Sequence, residues 1–396
     1  MNIFEIKLSE NIMSNEIDAK YKKIGNILNK AGPYILTDSV IEILKYSILE
    51  NNLDFLMAFK KNISQTMEQL KESITKYCEN SYSEEEILKK VDQLAKQGVM
   101  FDQPNRHGII VFRLAPIFRQ FEYTFMKKLE KTDEYIGLAR LFHETEKDLG
   151  ALAQNDYDNL PNMLKGMPAQ DRTIPIRENK ETGEEIKIIV NEELEVPEEQ
   201  IVILQDIKKI IEKFEDIAVG QCYCRQKEDF LGHTCKQNPP GESCFTLGKS
   251  ARHTTKHGFT RLISKEEALK ILKDIEDAGL VHKVYHLNSD LSKDEVAICN
   301  CCSCCCPTSK VSVMFPSVNI SNYTVNIDRD SCIGCGTCVE KCFNQVLELN
   351  DDGIAVKVEE ECVGCGVCAY LCPENAISLI KGPQRRVNII PEKEKA

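Results

Sequence analysis

Two cysteine runs late in the chain constrain its fold more than any other feature. The first is Cys332, Cys335, Cys338 and Cys342, and it recurs 30 residues later as Cys362, Cys365, Cys368 and Cys372. Both runs have the spacing C-x2-C-x2-C-x3-C. Thiols two residues apart in a tight loop can converge on one metal group, whereas a zinc site takes only four ligands in isolated pairs. The duplicated unit, residues 320–382, is therefore predicted to hold metal clusters.

The overall cysteine count indicates the compartment. The chain has 396 residues and 19 cysteines, and every cysteine except Cys78 follows residue 220. The opening MNIFEIKLSENIMSNE carries glutamates and does not resemble a signal peptide, and no apolar run approaches the ~18 residues of a membrane span. We therefore expect a cytoplasmic protein whose clustered thiols stay reduced and bind metals rather than form disulfides.

The charge pattern argues against nucleic-acid binding. The formal net charge is −12, and no segment carries the excess of lysine and arginine that neutralises phosphates. The motifs G-x-x-x-x-G-K-[ST] and G-x-G-x-x-G opening a helix are absent, so no nucleotide site is expected. The expected partners are redox proteins.

The two cysteine runs resemble the bacterial ferredoxins that carry two [4Fe–4S] clusters, over about 63 residues. In that family the fourth cysteine of each run ligates the other cluster. The resemblance implies one cluster on Cys332, Cys335, Cys338 and Cys372, and a second on Cys342, Cys362, Cys365 and Cys368. The second run keeps the family's proline as Pro373, whereas the first run has Phe343 at that position.

A middle module, residues 198–310, holds ten more cysteines within 85 positions. They are Cys222, Cys224, Cys235, Cys244, Cys299, Cys301, Cys302, Cys304, Cys305 and Cys306. Neighbouring side chains of an extended segment point to opposite sides, so the last six cannot all face one apolar interior. We expect these thiols to bind one or two further iron–sulfur clusters.

The grouping of the ten thiols stays open. Four would hold one further cubane cluster, eight would hold two, and ten would suit two clusters with five thiolates each. The last arrangement is similar to the noncubane clusters of heterodisulfide-reductase-type proteins, although their CCG motif is absent here. Zinc bound by Cys222, Cys224, Cys235 and Cys244 is the alternative. Arg225, directly after Cys224, is a candidate for offsetting the charge of bound thiolates.

The first 150 residues are predicted to be mainly helical with one hairpin. Ser83 and Glu86 form a capping box before an apolar-faced helix, Gly98 ends it, and two β-like runs follow at 99–101 and 109–114. Three helices and a hairpin resemble the winged-helix fold over about residues 34–115. The presumptive recognition helix has four acidic residues against three lysines, which favours protein docking over DNA binding.

The predicted fold class is α+β with several domains. In order they are a helical domain with the winged-helix-like unit (1–152), an extended linker (153–197), a cysteine-rich α+β middle module (198–310), a βαββαβ-type dicluster ferredoxin-like domain (320–382) and a tail (383–396).

The whole pattern resembles uncharacterised iron–sulfur proteins of anaerobes, which combine a winged-helix-like start, C-x-C-R and ICNCC-x-CCC segments and a terminal ferredoxin in one chain. That resemblance implies a cytoplasmic protein passing single electrons between partner redox proteins in anaerobic metabolism, as a carrier or as a subunit of an oxidoreductase complex. Two alternatives stay open. One is a redox enzyme that uses a middle-module cluster on a small substrate such as a disulfide, and the other is a redox-sensing winged-helix regulator.

Overall fold

The computed structural model describes residues 3–29, 36–60, 63–190, 205–309 and 316–393. The chain divides into two compact units, residues 1–148 with 256–259, and residues 149–255 with 260–396. The acidic sequence NEELEVPEEQ at 191–200, which includes the end of the predicted linker, lies outside the described residues. Within them, no helix is both long and apolar enough to cross a membrane.

The N-terminal region is built mainly from helices. They are α1 (Ile3–Leu28), α2 (Asp38–Ser47), α3 (Leu53–Leu56), α4 (Met67–Tyr77), α5 (Glu84–Lys96), α6 (Arg119–Met126) and α7 (Asp133–Asn155), with 3-10 turns at Glu50–Asn52 and Met57–Phe59. Strands β1 (Met100–Pro104) and β2 (Ile110–Leu114) form an antiparallel hairpin.

The predicted ends of α5 are confirmed. The Ser83 side chain accepts a hydrogen bond from the Glu86 N–H, and the Glu86 side chain accepts one from the Ser83 N–H, so the capping box is complete. Gly98 follows the helix with φ at 75°, a left-handed conformation that suits glycine. A backbone bridge between Gln65 and Phe112 joins the hairpin to the segment before α4. Helices α1 to α5 and the hairpin share one apolar core, with Leu44, Leu94 and Phe112 among its buried members.

The second unit carries the remaining elements. Its helices are α8 (Leu160–Gly166), α9 (Ile207–Lys213), α10 (Tyr223–Phe230), α11 (Lys249–Lys256), α12 (Lys265–Asp277), α13 (Thr337–Glu340) and α14 (Val367–Tyr370). Its strands are β3 (Asp171–Ile174), β4 (Ile188–Val190), β5 (Ile217–Gln221), β6 (Glu242–Leu247), β7 (Arg261–Leu262), β8 (Val281–His286), β9 (Glu295–Cys301), β10 (Ser317–Ile327), β11 (Leu347–Leu349), β12 (Ala355–Lys357) and β13 (Ile377–Ile389), and 3-10 turns lie at Tyr157–Asn159 and Leu287–Ser289.

One nine-stranded sheet runs through the second unit in the order β4-β13-β10-β3-β8-β9-β6-β5-β7, and β11 and β12 pair separately. The middle module and the C-terminal domain therefore contribute strands to the same sheet. The strand β3 joins them, because it pairs in parallel with β10 and antiparallel with β8.

The segment 153–197 differs from a free linker. It supplies β3, all four residues of which are buried, and β4, which pairs with β13. Its prolines interrupt helical periodicity outside the short helix at 160–166, and strands this short leave little pattern in a sequence. Strand β13 also continues to Ile389, beyond residue 382.

Two large apolar cores and a smaller one around Val318 and Ile320 lie on the sheet among the described residues. One is built from α9, α12 and the middle strands, and Ile210, Leu272 and Ile298 are fully buried in it. The other surrounds the two cysteine repeats and also takes in Cys301 and Cys306 of the middle module. Thiols of both regions therefore pack into one continuous core.

Candidate metal centres

The first cavity lies among cysteines drawn from both repeats. Cys332, Cys335 and Cys338 of the first repeat and Cys372 of the second line a space of about 370 Å³. The loop turns at Gly336, which has φ at 75° and immediately precedes α13. Cys335 is exposed, so this cavity opens close to the protein surface.

The second cavity mirrors the first. Cys362, Cys365 and Cys368 of the second repeat and Cys342 of the first line a space of about 400 Å³. Gly366, with φ at 76°, precedes α14 in the same way. The structure thus brings the eight thiols together in the two sets of four that the ferredoxin resemblance implies.

Burial and backbone N–H donors determine the protonation of these thiols. Burial raises the pKa of Cys365 to about 12 and that of Cys338 to about 11, so both are protonated when nothing binds them. A metal must displace these protons, and metal binding is therefore coupled to proton release. In the second cavity the backbone N–H groups of Val346 and Gly364 each donate to a cysteine sulfur at 3.4 Å, which favours the thiolate.

Two glycines let the cysteine loops press against neighbouring backbone. A Cβ at Gly364, where φ is 61°, would lie 2.3 Å from the carbonyl oxygen of Tyr323. A Cβ at Gly334, where φ is 69°, would lie 2.3 Å from the carbonyl oxygen of Gly353. Each loop thus folds back around its cavity, and four convergent thiols drawn from both repeats fit a [4Fe–4S] cluster.

A buried asparagine outside the repeats fastens the second one. The Asn179 side-chain amide donates to the carbonyl oxygens of Ala369 at 3.1 Å and Cys372 at 2.9 Å. Nearby, the Ile176 N–H donates to the carbonyl of Cys365. The role of Asn179 in fastening the second repeat is not predictable from the sequence. Its only local signal is the turn after Asn179, where the side-chain oxygen accepts from the backbone N–H of Glu181.

The ten middle-module thiols fall into two groups. The smaller, which we call the four-thiol site, consists of Cys235, Cys302, Cys304 and Cys305, whose sulfurs all lie within 4.8 Å of one another. The Cys304 sulfur is 3.7 Å from that of Cys235 and 3.6 Å from that of Cys305. Cys235 comes from the loop after α10, and the other three come from the turn after β9.

The remaining six thiols form a closed ring of neighbours, the six-thiol ring, in which each side chain shifts the pKa of two others. Its order is Cys222, Cys224, Cys306, Cys301, Cys299, Cys244 and back to Cys222. Five are buried and Cys299 is half-buried. Cys299 and Cys301 face the same way because they are two residues apart on β9.

This division contains a set of four, one of the set sizes considered from the sequence, but it differs from the grouping into five and five. Sets of five and five are not formed, and Cys235 is separated from Cys222, Cys224 and Cys244, so the alternative zinc set is not brought together. The reason is the path of the chain: α10 carries it away from Cys222 and Cys224 before the loop that holds Cys235.

Two buried cations lie beside these thiols. Arg225 donates through Nη1 to the carbonyl of Asn300 at 2.9 Å and through Nη2 to the Ser243 hydroxyl. Burial alone would lower the pKa of Arg225, but the thiols of both groups, Cys222 foremost, raise it. Lys283, fully buried on β8, donates to Asp171 at 3.1 Å and lies over the ring of Phe343 at 4.9 Å. Both cations can offset the charge of thiolates.

Comparisons with known proteins match the C-terminal region. A family model described as a 4Fe-4S dicluster domain covers residues 325–379. A ferredoxin of Thermococcus litoralis is 42% identical over 57 residues, which are 14% of this chain and 95% of that protein. A ferredoxin of Pyrobaculum islandicum is 44% identical over 54 residues, 14% of this chain and 50% of that protein.

A probable ferredoxin of Methanosarcina thermophila is 49% identical over 35 residues, 9% of this chain and 60% of that protein. The chain thus spans about half of the Pyrobaculum protein and about 60% of the Methanosarcina protein. No solved structure matches the chain significantly.

Proposed function

The chain belongs to the ferredoxin family through its C-terminal domain, and on that basis we propose that the whole protein passes single electrons between partner redox proteins in the cytoplasm of an anaerobe. The observation that carries the proposal is the pair of cavities, each lined by four thiols drawn from both repeats. The domain binds two [4Fe–4S] clusters, and a bound cluster takes up and releases one electron.

The proposed ligands follow the two cavities. Cys332, Cys335, Cys338 and Cys372 hold one cluster, and Cys342, Cys362, Cys365 and Cys368 hold the other. The chain presents these thiols and limits water at the second cavity, where Cys362 is buried. The N–H groups of Val346 and Gly364 donate hydrogen bonds to sulfurs of that cavity.

The middle module is proposed to extend the same function. Its six-thiol ring borders the core of the C-terminal domain, because Cys301 and Cys306 pack into that core. Lys283 connects the two regions: it donates to Thr308 at 3.0 Å, two residues after Cys306, and lies over Phe343, which follows Cys342. Phe343, where ferredoxins have proline, is 2% exposed and therefore serves packing between the two regions.

The N-terminal unit is proposed to dock a partner protein. The order α2, α4, α5 and the β1–β2 hairpin supports a winged-helix-like unit over about residues 34–115. The first turn of α5 carries Glu84, Glu85 and Glu86, all exposed, and carboxylates repel nucleic-acid phosphates. A basic protein surface is the occupant that suits this helix.

Electron exchange with a partner is proposed to take place at the first cavity. Its Cys335 is exposed, and the neighbouring Ile333 is 64% exposed. The acidic Glu374 also lines this cavity. An apolar contact beside acidic groups suits a partner with a basic docking patch, so complex formation should weaken as salt rises.

The experiment is anaerobic purification of the full chain with iron and sulfide quantitation and electron paramagnetic resonance, followed by electron transfer to a basic c-type cytochrome. The wild type should reduce the cytochrome at a rate that falls with ionic strength. Cys372→Ser should lose one of the two cluster signals and slow the transfer, while Cys78→Ser should change neither. A wild-type protein that contains both clusters but transfers no electron would overturn the proposal.

A further inference from the structure

The four-thiol site has the dimensions of a mononuclear metal centre. Four thiolates around one ion at about 2.3 Å must lie about 3.8 Å from one another if the geometry is tetrahedral. Two of the six separations, Cys304 to Cys305 and Cys304 to Cys235, are 3.6 and 3.7 Å. All six separations are within 4.8 Å.

The ferredoxin-type cavities provide an internal comparison. Each thiolate of a cubane binds a different corner iron, so the four sulfurs must stand farther apart around the cluster. In the described part of the chain, no three of those eight thiols come within 4.8 Å of one another. The four-thiol site is therefore contracted relative to the cluster cavities of the same protein.

The surroundings also suit a small ion. The backbone N–H groups of Gln237 and Lys236 lie beside the sulfurs of Cys235 and Cys304 and favour their thiolate forms. Four thiolates and one divalent ion leave a net charge of −2, and the buried guanidinium of Arg225 lies beside Cys235 and Cys302 to offset part of it.

We propose that Cys235, Cys302, Cys304 and Cys305 bind a single tetrahedral metal ion, Zn²⁺ or Fe²⁺, without inorganic sulfide. The site is separate from the six-thiol ring, and the proposal does not depend on the electron-transfer function. The ion ties the loop after α10 to the turn after β9 and so fixes Cys306, which enters the ring directly after Cys305. Its first role is to hold in place the elements that carry the ring.

The stoichiometry of metal and sulfide tests this assignment on the full chain. Wild type and Cys304→Ser are purified anaerobically from cells supplied with iron or with zinc, and zinc, iron and sulfide are measured per chain. We expect Cys304→Ser to lose about one ion per chain and no sulfide. Loss of zinc identifies Zn²⁺, and loss of one iron without sulfide identifies Fe²⁺.

Three further variants distinguish loss of the four-thiol site from misfolding and from damage to the six-thiol ring. Cys304→His should retain the ion, because histidine can replace one cysteine in a tetrahedral site. Cys78→Ser and the ring variant Cys299→Ser should also retain it. The resonance signals of the ferredoxin domain should persist in Cys304→Ser, which shows that the domain still folds. Loss of about four irons together with four sulfides, or no change in metal content, would overturn the proposal.

Discussion

Replacing Gly364 by alanine should damage the second cluster cavity more than an equivalent change elsewhere in the same domain. Gly364 has φ at 61°, and a Cβ there would lie 2.3 Å from the Tyr323 carbonyl oxygen, which is 0.7 Å inside the 3.0 Å limit of real contacts. That carbonyl is held by the Arg385 guanidinium at 2.6 Å, so it cannot retreat without breaking a hydrogen bond. The loop carrying Cys362 and Cys365 must move instead.

The expected loss of free energy of unfolding has two parts. The left-handed backbone costs an alanine about 1–2 kcal/mol, and forcing the extra carbon against fixed backbone costs about 1–3 kcal/mol more. Gly364→Ala should therefore destabilise the domain by about 2–5 kcal/mol. Gly353→Ala is the matched control: its φ is 76° but nothing lies within 4 Å of its Cβ, so only the backbone contribution of about 1–2 kcal/mol applies.

The assay is urea-induced loss of the visible absorbance of the clusters under anaerobic conditions, with iron counted before and after. Gly364→Ala should lose absorbance at a clearly lower urea concentration than Gly353→Ala and should contain less iron. Equal midpoints for the two variants, or full iron in both, would show that the close approach to Tyr323 does not hold the cysteine loop, and the reasoning would be refuted.

Three other substitutions test separate parts of the structure. Asn179→Ala leaves the buried carbonyls of Ala369 and Cys372 without their donor and should destabilise the C-terminal domain by about 1–3 kcal/mol in the same urea assay; a loss no larger than that of exposed Thr182→Ala would contradict the clasp. Lys283→Met leaves Asp171 as an uncompensated buried charge and should cost about 3–5 kcal/mol, part of which Lys283→Met with Asp171→Asn should recover; no recovery would mean that the pair is not the cause. Asp54 is partly buried, which raises its pKa, but hydrogen bonds from Glu79, Asn80 and Tyr82 outweigh this and hold the pKa below its usual range. Its stabilisation is therefore present at neutral pH and lost as pH falls through the lowered folded-state pKa. Asp54→Asn should speed amide hydrogen exchange of α4 and α5 at pH 7, by an amount equivalent to about 1 kcal/mol, whereas Glu72→Gln should not, and equal exchange in the two would count against the carboxylate's role.

The structure of the C-terminal repeats is the part of the protein that the sequence predicts best. Ligand spacing within each run is local, so the turn at Gly336 and the short helix after it are readable from a few residues. The same holds for α5, where Ser83 and Glu86 indicate the start of the helix and Gly98 indicates its end. Such elements are predictable because the interactions that define them span only a few positions.

The grouping of the middle-module thiols was not predictable in this way. Cys235 meets Cys304 across a sequence separation of 69 residues, and nothing in either local segment specifies the partner. The alternation of side chains along a strand places Cys299 and Cys301 together, but it says nothing about the turn that returns Cys306 to them. Long-range pairing of strands decides these contacts, and it is also why β3 was not recognised.

The placement of β3 and β4 determines whether the ferredoxin-like part can be isolated. Its long strand pair, β10 with β13, is flanked by β3 on one side and by β4 on the other. A fragment beginning at residue 316 would lose both neighbours, leaving two bare sheet edges with unpaired backbone groups, and it would also lose Ile176 and Ile186 from its core. Bare edges recruit other chains, so such a fragment should aggregate. In this chain the domain depends on β3 and β4 for its folding, and any expression fragment should begin before residue 171.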